Sequence, residues 1–250
     1  MRKLVAALAC RNDGARLYGK PLQNLDVESG ITVIRHIVDW LRTTPEVDEI
    51  VLGISEGIAN LVFIDVARKL GVPYIIGDEK DVLGRLIQCG DRAQATDVLR
   101  LTTESPFSAF ETIPEAWGAH VEGDQDFSCL DDVPAGCGFE IIKLEALKVS
   151  HRKGADRHRS ELCSLYIREN RHQFKIRNIE APSYLGGRTD LRLAIDYPED
   201  LVLCRTVYAN FRHLAPRIPV AEIVTFLDGN PDLRALVEPL VQPTLSLLNR

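Results

Sequence analysis

The chain has 250 residues, of which 45% are hydrophobic and 26% charged, and a formal charge of −6. This length and composition fit one large α/β domain or two small ones with a substantial core, and they exclude a disordered or low-complexity chain. The acidic balance argues against general nucleic-acid binding, which needs a basic face to displace counterions, so an anionic ligand must be met by a local cluster of cations.

In chain order, the apolar run LVAALA opens the sequence. MRKLVAALAC imitates a secretion signal, but Leu4 to Ala9 is shorter than a working apolar region and the chain then turns charged. Then follow a helical pattern in ITVIRHIVDWL, a buried strand in EIVLGIS and a helix over 58–70 that ends at Gly71. VPYII reads as a strand, 81–95 as a helix, and DVLRLTT as a strand stopped at Pro106. Continuous apolar strands alternating with helices predict a parallel sheet covered on both faces, with ligands at the carboxyl ends of its strands. The loops 10–24, 54–57, 77–81 and 102–108 should therefore share one edge.

The second half changes rhythm. DFSCL and FEIIKL read as strands, LEALKVS as a short helix and HRSELCSLYIREN as a longer one. FKIRNIEAP and LRLAID read as strands, and a helix opened by Pro198 and one or two more helices close the chain. One domain spanning 1–250, with a β-rich excursion near 121–180, is the economical organisation. The six cysteines form no CxxC pair, which speaks against zinc or a disulfide framework and for a reducing cytoplasm. No stretch approaches membrane-spanning length, and stacking platforms for single-stranded nucleic acid are absent.

The loop after the first strand, CRNDGARLYGKPL, places Arg11, Arg16 and Lys20 among Gly14 and Gly19. Backbone N–H groups and guanidinium forks suit a triphosphate, although a solvated basic loop has the same composition. The spacing is neither GxGxxG nor GxxxxGK[ST]. No G-x-S-x-G elbow and no H-E-x-x-H motif is present either.

These residues resemble the cytidylyltransferase family that activates sialic acids and Kdo, and most closely its spore-coat polysaccharide, SpsF-like branch. Arg11, Arg16, Leu17, Gly19, Lys20 and Leu22 fall on its pattern A-R-x-x-S-x-R-L-P-G-K-x-L. DVLGR, LRLTTESPF, GCGFEIIKLEAL, ELCSLYI and LRLAIDYPEDL follow its further motifs in order, over about residues 3 to 211. The resemblance implies a three-layer, Rossmann-like nucleotide-diphospho-sugar transferase fold. It also implies a homodimer formed with help from the excursion, and CMP transfer from CTP to a small anionic sugar-like acceptor with Mg²⁺ as cofactor.

Carried over residue by residue, the resemblance puts Arg11, Asn12, Gly14, Arg16, Lys20, Asp81, Arg85 and Thr103 at the nucleotide. Lys20, Arg16 and Asp196 are then catalytic, Asp196 and Glu104 hold metal, and Glu104, Glu140, Arg157 and His158 meet the acceptor. Several of these have structural alternatives. Asp196-x-x-Glu199 has capping-box spacing. Asp78 could cap the helix of DVLGR, with Asp81 in its first turn. HRKGADRHR also reads as a solvated loop, and Glu104 as a strand-end residue facing water. Asp13, Tyr18, Glu104 and Leu162 depart from the family pattern, which leaves open an idle nucleotide-binding partner. Base choice comes from the resemblance alone, so another nucleotide also stays open.

Overall fold

The structure, a computed structural model, describes residues 2–12, 14 and 16–241. The first half runs β1 (Leu4–Cys10), β2 (Asn24–Asp26), β3 (Ile31–Thr32), α1 (Val33–Leu41), β4 (Glu49–Ser55), α2 (Val62–Leu70), β5 (Tyr74–Gly77), α3 (Val82–Arg92) and β6 (Asp97–Thr102). Then come α4 (Ile113–Glu122), β7 (Phe127–Cys129), β8 (Glu140–Lys143), α5 (Leu144–Lys153), α6 (Leu165–Glu169), β9 (Ile176–Asn178), α7 (Pro198–Phe211), α8 (Val220–Asp228) and α9 (Pro231–Ala235).

Seven strands form the main sheet in the order β5-β4-β1-β6-β8-β7-β9, and β2 and β3 make a separate antiparallel pair. Only β8 runs against its neighbours; the other pairings of the main sheet are parallel. The alternation along β1 explains the layering. Leu4, Ala6, Leu8 and Cys10 pack into one core with Ile34 and Ile37 of α1. Val5 and Ala7 pack into another with Leu83 and Leu86 of α3. A strand buried on both faces reads as an unbroken apolar run, and each large side chain so buried contributes about 1.5–3 kcal/mol. The run that imitates a signal is thus a strand in the middle of the sheet. The expected mixed α/β class, with a mainly parallel sheet, is the one observed.

Element boundaries follow local chemistry. Thr32 Oγ1 accepts from the Arg35 N–H to start α1, and Gly71, at φ +61°, ends α2 where the sequence reading put its stop. The three strands within 121–180 continue the main sheet beside β6.

Two expectations are corrected. LRLAID is not a strand of the sheet: Leu193 N–H donates to Ala135 O and Ile195 N–H to Glu104 O, so two different segments hold it. The helix read over 158–170 shrinks to Leu165–Glu169. Its first turns are given to a loop in which Cys163 is buried while Leu162 is 47% exposed.

All six cysteines are free and buried. Asp97, His120 and Ser128 are joined by hydrogen bonds of 3.1 and 2.7 Å through the imidazole, and Arg2 Nε donates to Asp97 at 2.8 Å. Each of the three is fully buried, so they fasten β6, α4 and β7 together and meet no substrate. Among the described residues no helix is long and apolar enough to cross a membrane.

Candidate active site

A cleft of about 280 Å³ opens at the carboxyl ends of β1 and β6. The β1 loop supplies Arg11, Asn12, Gly14, Arg16 and Lys20; the first turns of α3 supply Val82 and Arg85; β6 and its extension supply Arg100, Thr102, Thr103 and Glu104. Asp196, Glu161 and Leu162 complete it. This is the crevice that a parallel sheet creates beyond its strand ends.

The β1 loop is folded on itself. Gly19 N–H donates to Asn12 O at 2.9 Å, and the Asn12 N–H donates to Asn60 Oδ1 at 2.7 Å, tying the loop to the segment after β4. At Gly14 a Cβ would run into the Leu17 carbonyl oxygen, so the close approach of the loop to itself requires glycine here. Tyr18 is 59% exposed and lies outside the cleft lining. Asp13 lies outside the described residues.

Asp196 is the centre of charge. Its Oδ1 lies 2.6 Å from Lys20 Nζ and 3.3 Å from Arg16 Nη2, and its Oδ2 accepts from Arg192 at 2.6 Å. Burial favours the protonated form, but these cations override it and hold the carboxyl below the usual carboxylate range. Arg16 also lies 4.9 Å from the centre of the Tyr197 ring, a cation–π distance. Helix capping is not the work of Asp196. The buried Asp200, at the third position of α7, accepts from the N–H groups of Asp196 at 2.8 Å and Tyr197 at 2.9 Å. That leaves the Asp196 carboxylate facing the cations.

Arg11 pairs across the cleft with Glu161. Glu104 is half-buried, and among the described residues its carboxylate makes no hydrogen bond or ion pair. Burial, reinforced by the nearby Asp196 and Glu161 charges against the pull of Lys20 and Arg100, raises its pKa. Arg85 is buried and donates to the carbonyls of Asp78 and Glu79 at 2.7 and 3.0 Å; burial lowers its pKa. Thr103 is buried against Ala9 O at 3.0 Å.

Four of the residues expected at the site lie outside this cleft. Asp81, not Asp78, caps α3 through the Gly84 N–H at 2.7 Å and lies 2.5 Å from His151 Nε2, while Asp78 accepts from the two N–H groups of the preceding turn. Arg157 and His158 both engage Glu169 and are absent from the cleft lining. Glu140 is buried, 2.9 Å from Arg100 and 2.8 Å from Arg168, and accepts from Ser164 at 2.6 Å. It lies on a second cavity beside the cleft rather than in it. Arg192, Glu161 and Tyr197 were missed; Arg192 and Tyr197 flank Asp196 in LRLAIDY, which is the signal that could have found them.

Among the described residues no group of three or more His, Cys, Asp and Glu side chains is assembled for a metal. Asp196 and Glu104 do line the same cleft. One or two carboxylates are the protein share of a Mg²⁺ shell that phosphate oxygens and water complete, so the donor set fits that ion.

No protein-family model matches the chain. It is 24% identical over 234 residues to the spore coat polysaccharide biosynthesis protein SpsF of Bacillus subtilis, covering 93% of this chain and 97% of that one. A cytidylyltransferase from Leptospira borgpetersenii superposes with a TM-score of 0.84 at 18% identity, over 93% of this chain and 97% of that one. The chain has the cytidylyltransferase fold. A CMP:2-keto-3-deoxy-manno-octonic acid synthetase solved with CTP shares this cytidylyltransferase fold at a TM-score of 0.63 and 14% identity, over 83% of this chain and 99% of that one. These likenesses fall in the family whose motifs the sequence resembles, its SpsF-like branch included.

Proposed function

We propose that this protein is a nucleotidyltransferase that moves CMP from CTP to a small sugar acid, or to a phosphorylated or phosphonate relative, with release of pyrophosphate, in surface-polysaccharide synthesis. One observation carries the reading: Lys20, Arg16 and Arg11, all on the β1 loop, converge with Asp196 on one cleft at the strand ends. In this reading Lys20 and Arg16 turn from Asp196 to triphosphate oxygens, and Arg11 leaves Glu161 for the same purpose. Phosphate offers several acceptor oxygens at once and suits guanidinium forks better than one carboxylate does. Mg²⁺ held by Asp196 and Glu104 would neutralise charge on the phosphate oxygens. The acceptor oxygen bonds to the α-phosphorus as the bond to pyrophosphate breaks, and the chain's own contribution is to position and neutralise.

The choice of CTP is supported by the synthetase that shares the fold, which was solved with CTP. The same reading has the chain act as a single-domain homodimer in the cytoplasm, with 121–180 on the acceptor side. Lys20→Ala should weaken CTP binding by about tenfold or more, the usual loss for a charge-assisted hydrogen bond. Asp196→Asn should keep measurable CTP binding and lose pyrophosphate release. Normal turnover in Asp196→Asn would reject the role given to that carboxylate.

A further inference from the structure

Beside the nucleotide cleft lies a second cavity of about 450 Å³, and Arg100 and Thr102 line both. Its far wall is the segment 130–140 packed on 189–192. The packing is close: at Gly136, with φ +97°, a Cβ would collide with the Leu193–Ala194 backbone. Resting on the reading above, we propose that this cavity takes the acceptor and that Arg192 anchors its anionic group.

The charge inventory singles out Arg192. Asp131 is neutralised by both terminal amino groups of Arg168, at 2.6 and 3.0 Å. Glu140 is neutralised by Arg100 and Arg168. Arg100 gives its other amino group to the Glu161 carbonyl at 2.7 Å. Arg192 gives Nε to Asp200 at 2.8 Å and Nη2 to Asp196 and Asp200 at 2.6 and 3.2 Å. Its Nη1 makes no hydrogen bond among the described residues, and the residue lines the cavity.

The rest of the polar lining suits hydroxyl groups: Thr102 and Ser105, whose oxygens lie 2.5 Å apart, and Thr189 at the rim. A guanidinium with an unspent amino group, lining a cavity that also carries hydroxyls, matches a hydroxylated carboxylate or phosphate, since an anion gains most from a charged donor out of bulk water. The same guanidinium holds Asp196 from behind. Acceptor and nucleotide sites thus share one ion-pair chain, Arg192–Asp196–Lys20.

Saturation-transfer NMR tests this with gluconate, glycerol 3-phosphate and sorbitol as probes, on the full chain with and without CTP and Mg²⁺. At least one anionic probe should bind and sorbitol should bind no better than background; the stronger anionic probe tells carboxylate from phosphate. Arg192→Gln should weaken that probe about tenfold or more, with Arg192→Lys intermediate. Because Arg192 also braces Asp200, Thr189→Asp provides a second variant: it places a negative charge at the rim and should weaken the same probe. Equal binding of sorbitol, failure of both anionic probes, or unchanged binding in Arg192→Gln and Thr189→Asp overturns the proposal. A CTP-induced shift without probe binding rejects this inference alone, whereas no shift with any nucleotide rejects the reading beneath it.

Discussion

Arg11 and Glu161 show how the site treats its own charges. They pair across the cleft while their side chains are 48% and 65% exposed, so solvent screens the pair and it is worth at most about 1 kcal/mol. A triphosphate must still displace Glu161 from Arg11. Glu161→Gln should therefore tighten CTP binding about two- to fivefold in titration calorimetry, with the gain shrinking at high salt. Weaker binding in that variant would mean that Glu161 helps to hold the nucleotide instead of competing with it. The residues that met in the cleft as expected are those whose chemistry is local: three cations in one loop, and an acidic residue just ahead of a helix. Glu161 escaped notice because its partner Arg11 is 150 residues away, and Arg192 because only the fold turns its guanidinium onto the nearby Asp196 and Asp200.

Among the elements, α7 does the most to orient the site. Asp200 satisfies the N–H groups of Asp196 and Tyr197 and neutralises Arg192, so one buried carboxylate fixes both the helix start and the Asp196 backbone. Asp200→Ala should lower unfolding free energy by about 2–4 kcal/mol in urea titrations, because it orphans backbone donors and unbalances a partly buried guanidinium. Asp200→Asn, which keeps an acceptor oxygen, should lose less. The parallel strands, the helix stop at Gly71 and the helix start at Pro198 were legible because burial on both faces and helix-end chemistry leave local signatures. Two segments were misread for different reasons. In 158–164 Leu162 lines the cleft while Cys163 enters the core, so the stretch is no helix face. In 191–196 Leu191, Leu193 and Ile195 alternate into the core as a strand would, but their backbone bonds go to two different segments instead of one ladder.

For the whole molecule, the core carries a pH dependence separate from the site. His36 is buried beside Phe107 and Tyr208, and burial pushes its pKa down to about 4 from the ordinary 6.5. The folded state therefore refuses a proton that the unfolded chain accepts below pH 6.5. Stability from this group is full above that value and is lost as pH falls toward 4, at most about 3 kcal/mol in all. His36→Phe should flatten the loss of stability between pH 6.5 and 4 in denaturant titrations, and an unchanged slope would place the acid sensitivity elsewhere. The larger claim is that the strand-end edge of this sheet is a triphosphate site. The direct measurement is the melting temperature with each of the four nucleoside triphosphates and Mg²⁺, in the native chain and in Lys20→Ala. CTP should raise it most, by an amount equivalent to about 2.7 kcal/mol at a hundredfold excess over Kd, and Lys20→Ala should lose much of that rise. No rise with any of the four nucleotides, or the same rise in Lys20→Ala, would contradict it.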